Sequence, residues 1–199
     1  MYLVRKSLLM RSAILALAPV ILSLSLSAQG VFSNKTQVIL EKVIQDYPNR
    51  FRNIKGELIG QALQTARYKS TIQIPGATSS TVTLVTASGN EGYNWNCTVL
   101  EATDFAAAKN RFTQIYKELS NSIVTTAEQK TYILSGQYEP PVVDKKYATV
   151  LFSLLPGVGD MKRLRVELTM HEEERGWVVA LSVTDQDPRE IAQLERSAK

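Results

Sequence analysis

Residues 163–171 have the sequence RLRVELTMH, and residues 176–184 have the sequence GWVVALSVT. Apolar side chains alternate with polar ones along the first run, which is the period of a β-strand with one buried face. A short charged turn separates the two runs, as in an antiparallel hairpin. These residues therefore predict a sheet with one buried face and one solvent-exposed face.

Further runs of the same kind occur on both sides of this hairpin. Turn residues such as Pro75-Gly76 and Gly89-Asn90 separate several of them, which favours short strands in antiparallel order. Eight strands are predicted in all: 56–63, 68–74, 81–87, 92–102, 131–137, 146–155, 162–171 and 176–184.

Two amphipathic helices are predicted among these strands. The first begins after Ser33 or Asn34, repeats apolar residues on one face, and ends at Pro48. The second begins after Thr103 or Asp104 and has an apolar stripe opposite a charged face. Each helix should therefore lie on a sheet with its charged side in water.

The element order predicts an α+β fold in which one or two antiparallel sheets carry helices on one face. Pro188 indicates a third helix over 188–198, so the order is α-ββββ-α-ββββ-α. The order repeats, and we interpret the mature chain, 29–199, as a single domain made of two similar halves, 34–102 and 103–184.

A weak sequence repeat supports this internal duplication. A shift of 81 positions aligns residues 75–104 with 156–185 and makes seven of thirty positions identical. Pairing Trp95 with Trp177 needs a shift of 82, and a slip of one residue reverses the faces of a strand. Chance similarity between two meanders is the alternative.

The start of the chain has the features of a secretory signal peptide. Residues 1–28 contain three cations and no acid, and an apolar run over 12–26 ends at the small residues Ser27 and Ala28. We expect cleavage after Ala28 and export of 29–199 to the periplasm or the medium. An uncleaved membrane anchor is the alternative, although the run is shorter than the roughly 20 residues of a membrane span.

Composition and charge exclude several classes of protein. With 199 residues, 44% of them hydrophobic, the chain is neither disordered nor collagen-like. The net charge of +4 derives mainly from the leader, since the rest has 20 Lys and Arg against 19 Asp and Glu. Nucleic acid is therefore not an expected partner. A single cysteine cannot form an intramolecular disulfide, so the core alone must stabilise the fold.

Few side chains are suited to catalysis or to metal binding. Cys97 alternates in phase with Trp95 and is expected to be a buried, inert thiol. His171 falls on the polar face beside the acidic run 172–174, as in a surface hairpin. Trp95 and Trp177 are expected in the core, and stacking on a sugar is their alternative. No catalytic, cofactor-binding or metal-binding residue is predicted, and no cofactor is expected.

Residues 50–69 carry five cations and one acid. This local bias is consistent with a solvated face that complements the end of the first helix, and an anion-binding rim is the alternative.

These features favour an exported, non-catalytic binding or interaction module. Its ligand would be a protein or a small molecule, bound on the sheet surface or in a cleft between the halves, and a homodimer is compatible with the pattern. Two alternatives are a small exported hydrolase that uses carboxylate acid/base chemistry and a structural component of cell-envelope assembly. After cleavage no membrane span is expected.

Overall fold

Nine strands and two α-helices make up the computed structural model, which describes residues 34–87 and 90–185. The predicted signal peptide, 1–28, and the predicted C-terminal helix, 188–198, lie outside the described residues. The helices are α1 (Lys35–Asp46) and α2 (Phe105–Leu119). The strands are β1 (Lys55–Ala62), β2 (Thr65–Ser70), β3 (Ser79–Ala87), β4 (Asn90–Ala102), β5 (Ile123–Thr125), β6 (Thr131–Gly136), β7 (Tyr147–Leu155), β8 (Leu164–Glu173) and β9 (Gly176–Asp185).

All nine strands belong to one antiparallel sheet, with the order β1-β2-β3-β4-β9-β8-β7-β6-β5. Each half of the chain forms a meander, and the last strands of the two meanders, β4 and β9, pair at the centre. Trp95 lies opposite Val183 and Cys97 opposite Leu181 in this pair. The antiparallel sheet predicted from the sequence is confirmed, and the two halves share one sheet rather than forming two. The fold is thus mostly β with two helices.

The core lies between the two helices and one face of the sheet, which we call the inner face. Apolar side chains from alternate positions of β4, β9, β8 and β7 are fully or almost fully buried there. The apolar stripes of both helices join the same cluster, including Leu40 and Val43 of α1 and Phe112 and Ile115 of α2. The opposite face, which we call the outer face, is covered by no element in the described ranges.

The helix caps follow the sequence prediction. The Asn34 side chain accepts a hydrogen bond from the Gln37 backbone N–H at 3.1 Å, and the Asp104 carboxylate accepts one from the Ala107 N–H at 2.8 Å. Each bond satisfies a backbone donor that the first helical turn would otherwise leave unpaired.

Two strand predictions need correction. The second half has five strands rather than four, because β5 is only three residues long and too short to show a period. The second strand ends at Ser70 instead of continuing to Ile74. The Ser70 hydroxyl donates to the Ile72 carbonyl at 2.8 Å and turns the chain, which carries Ile74 into the core at 1% exposure.

The two edges of the sheet differ in their cover. Strand β5 lies along α1, and three polar side chains spaced four residues apart on the helix satisfy its free backbone groups. Gln37 and Gln45 donate to the carbonyls of Ile123 and Thr125 at 2.7 and 2.8 Å, and Glu41 accepts from the Thr125 N–H at 2.7 Å. This edge is therefore closed to another strand.

Candidate functional site

Short polar side chains fill the centre of the outer face, across five adjacent strands. The register aligns them in rows, since Thr83, Asn94 and Thr184 lie opposite one another on β3, β4 and β9. Neighbouring strands are about 4.8 Å apart, so the rows form a regular array of hydroxyl and amide groups. We call this array the polar field: Thr81, Thr83, Asn94, Asn96, Thr98, Thr149, Thr169, Ser182 and Thr184.

Apolar side chains replace this pattern toward β5 on the same face. Ile123, Ile133 and Leu155 lie opposite one another on β5, β6 and β7, and Leu151 lies further along β7. Their exposed fractions are 56%, 45%, 48% and 54% respectively. We call these four residues the apolar row. Such a group of half-exposed aliphatic side chains next to a polar surface is typical of a protein contact.

Charged side chains at the boundary of the polar field are held in place by hydrogen bonds. The Glu167 carboxylate accepts from the hydroxyls of Thr149 and Tyr147 at 3.0 and 3.4 Å. Arg165 donates to the Ser153 hydroxyl at 3.5 Å. Partial burial, and to a smaller extent the Glu167 charge, raise the pKa of Tyr147. Tyr147 therefore remains a neutral donor at physiological pH.

Cys97 lies on the inner face of β4 and is fully buried. Burial raises the pKa of its thiol, and the Ile74 backbone and the nearby Ser80 hydroxyl oppose that shift only in part. A nucleophilic cysteine needs a lowered pKa and access to solvent. The geometry thus agrees with the interpretation of Cys97 as an inert core residue.

The raised pKa of Cys97 predicts a loss of stability at alkaline pH. The unfolded chain loses the thiol proton near the ordinary pKa of 9.0, whereas the folded chain keeps it. The free energy of unfolding should therefore be insensitive to this group below pH 9 and fall above it, by up to about 1.4 kcal/mol per pH unit. Urea unfolding of the wild type and of Cys97→Ala at pH 8 and pH 10 measures the effect. A decline of equal size in the variant would contradict the prediction.

His171 lies on the outer face, where β8 pairs with Tyr147 of β7 and Val178 of β9. Its Nε2 atom is 3.0 Å from the Glu173 carboxylate. The adjacent turn forms an open depression lined by Lys146 and residues 172–175. Lys146 and Glu172 form an ion pair at 2.8 Å, and this exposed turn matches the predicted surface hairpin.

Both tryptophans are buried, as the alternation predicted. Trp95 has no exposed surface and Trp177 is 6% exposed, so neither can stack on a sugar. Trp177 instead packs edge-on against Phe105 of α2 at 5.0 Å between ring centroids.

The cations in the range 50–69 do not form a single cluster. Arg50 pairs with Glu91 at 3.4 Å, and the Lys55 ammonium lies 4.4 Å from the centre of the Tyr68 ring. Arg67 and Lys69 point to the outer face of β2, opposite Thr83 and Thr81. Arg67 and Lys69 therefore border the polar field.

In the described parts of the chain, no three His, Cys, Asp or Glu side chains lie close enough together to hold a metal ion. None of the helices described there is long and apolar enough to cross a membrane. No protein-family model matches the chain, and no curated protein matches it either.

The alternation of side chains along each strand predicted a polar face. The rows of the polar field depend on which strands are neighbours, and sequence periodicity does not specify that order.

Proposed function

We propose that this protein is an exported, non-catalytic binding module that holds a partner protein on the outer face of its sheet. The observation that carries the proposal is the contrast between the two faces. The helices bury the inner face over the central strands and toward β5, whereas the polar field and the apolar row lie together on the outer face, which no element of the described ranges covers. An exposed array of this kind combines hydrogen-bonding groups with an apolar contact area.

The dimensions of this face suit a macromolecular partner. Nine strands spaced about 4.8 Å apart span about 38 Å, and five residues along a strand span about 17 Å. The product, on the order of 650 Å², approaches the roughly 800 Å² that each partner contributes to a standard protein interface. A small molecule usually binds in a concave site instead. The extent of this face therefore favours a protein over a small molecule.

The apolar row also supports a second candidate, a structural role in cell-envelope assembly. Its four aliphatic side chains each expose about half of their surface. A permanent subunit contact would cover them, since obligate interfaces are more apolar than transient ones.

A hydrolase receives less support, because the carboxylates of the 172–174 turn are exposed and Glu172 is already paired with Lys146.

Site-specific photo-crosslinking in cells that export the full chain tests the proposal. A photoreactive amino acid is placed at Asn96 in the polar field, at Leu151 in the apolar row, and at the exposed Lys117 of α2 as the control. We expect Asn96 and Leu151 to capture the same protein and Lys117 not to capture it.

N-terminal sequencing of the exported chain tests the proposed cleavage. The sequence should begin at Gln29 if residues 1–28 are removed.

The variant Ile133→Lys/Leu151→Lys tests whether the apolar row is needed for this capture. Both side chains are already half-exposed and Leu151 lies opposite Glu167, so the thermal midpoint should change little while crosslinking from Asn96 is lost. Equal capture from Lys117, or capture from Asn96 that survives the double variant, would overturn the proposal.

We further propose that the two halves arose by duplication. Each half is a helix followed by an antiparallel meander, and the halves meet through β4 and β9. Trp95 and Trp177 both belong to the inner face, so a shift of 82 rather than 81 brings buried positions onto buried positions. The register of the burial pattern supports the shift of 82.

A further inference from the structure

The edge of the sheet opposite β5 is formed by β1, and it differs from the β5 edge in having no cover. Strand β1 is eight residues long and pairs with β2 on one side only, with five of its residues in register opposite β2. In the described ranges, no helix or loop side chain donates to or accepts from the free backbone groups of β1, whereas α1 closes β5 with three hydrogen bonds. An unpaired strand edge is a template for adding another extended segment.

The side chains of β1 leave this edge accessible and partly apolar. Leu58 and Ile59 are 50% and 49% exposed, and Leu63 in the following turn is fully exposed. Gly60 has no side chain, and the Arg67 guanidinium lies over it, 3.8 Å from the position that a Cβ atom would take. A positive charge thus reaches the open edge itself, on the outer face.

The side chains of β1 and β2 carry a net positive charge. Strands β1 and β2 contain Lys55, Arg67 and Lys69 against one acid, Glu57. Neither Arg67 nor Lys69 contacts a carboxylate within the part of the chain that the structure describes. The complement of this edge is therefore an extended segment with acidic side chains on the outer face.

We propose that the β1 edge binds an extended acidic segment of a partner protein, which pairs with it as a tenth strand. Backbone hydrogen bonds along β1 hold the segment, and Arg67 and Lys69 select its carboxylates. A second copy of this chain fits less well, because pairing two β1 edges would bring like charges together.

A model peptide tests the proposal directly. The probe is a fluorescein-labelled peptide of eight residues in which valine alternates with glutamate, and its binding to the purified domain is measured by fluorescence anisotropy at low salt. We expect saturable binding, and we expect Arg67→Ala/Lys69→Ala to weaken it by at least about tenfold. The matched variant Lys35→Ala/Lys42→Ala removes two exposed cations from α1 and should leave the affinity unchanged.

Two further measurements separate strand addition from simple charge attraction. Amide hydrogen exchange should slow on peptide binding at those residues of β1 whose N–H groups face away from β2. A peptide with alternate backbone nitrogens methylated keeps the charges but cannot complete the ladder, and it should not bind. No slowing of exchange, equal affinity for the methylated peptide, or no binding at about 1 mM peptide would overturn the proposal.

Analytical ultracentrifugation of the purified protein tests whether a second copy of the chain occupies the β1 edge instead. If analytical ultracentrifugation shows a dimer that Ile59→Pro dissociates, the β1 edge belongs to a second copy and the proposal is wrong. The peptide assay and the crosslinking assay can fail separately: the peptide assay measures binding at β1, whereas the crosslinking assay uses Asn96 on β4 and Leu151 on β7.

Discussion

Replacement of Gly176 by alanine is expected to lower the free energy of unfolding by about 3–5 kcal/mol or to prevent folding. Gly176 opens β9 and has a φ angle of +128°, a conformation that L side chains rarely adopt. An added Cβ atom would lie 2.4 Å from the Ala102 carbonyl oxygen and 2.8 Å from Thr103 Cα. Both atoms belong to backbone that cannot move away without separating β4 from β9, the pair that joins the two halves.

The matched control for this variant is Gly76→Ala. Gly76 also has a positive φ angle, +80°, but an added Cβ atom would meet no other atom within 4 Å. Its substitution by alanine therefore adds backbone strain but no steric clash, and we expect it to lower the free energy of unfolding by about 1–2 kcal/mol. Urea unfolding followed by far-UV circular dichroism measures both variants. If they are equally stable, the close approach of β4 and β9 at Gly176 does not determine stability.

Truncation of Trp95 to alanine is the second change with a large expected effect. Trp95 is fully buried on the inner face of β4, between Val82 of β3 and Val183 of β9. Its removal leaves a cavity at the centre of the sheet, and we expect the free energy of unfolding to fall by about 3–5 kcal/mol. The midpoint of urea unfolding should move accordingly, with an unchanged slope if the unfolded state is unaffected.

The polar end of the Trp95 ring permits an internal comparison. Its Nε1 atom donates to the Ser70 hydroxyl at 3.2 Å, and that hydroxyl also donates to the Ile72 carbonyl at 2.8 Å. Ser70→Ala therefore removes both hydrogen bonds without creating a large cavity. We expect that variant to cost about 2 kcal/mol, and Trp95→Phe to cost less than Trp95→Ala. A cost for Trp95→Ala no larger than that for Ser70→Ala would show that the ring contributes little through packing.

Local sequence signals predicted most of the elements of this fold. The caps at Asn34 and Asp104 were identified because the chemistry of a helix start is confined to a few neighbouring residues. Burial of Trp95, Cys97 and Trp177 followed from alternation, since successive side chains of a strand point to opposite faces. The short strand β5 was missed because Ile123 and Thr125 are held by hydrogen bonds from α1, which is about 80 residues distant in sequence.

The candidate surfaces depend more strongly on tertiary structure. Thr83, Asn94 and Thr184 become neighbours only because β4 pairs with β9, and no periodicity within one strand specifies which strand lies next to it. The difference between the closed β5 edge and the open β1 edge likewise depends on where α1 packs.

The amino-acid sequence by itself therefore determined where both described helices and most strands form and which side of most strands is apolar, because these properties arise from contacts between residues close in the chain. Only the tertiary structure decided the order of the nine strands, the continuity of the sheet and the position of its open edge. These depend on pairing and packing between distant segments, whose stability is shared across the whole core rather than encoded in any one stretch.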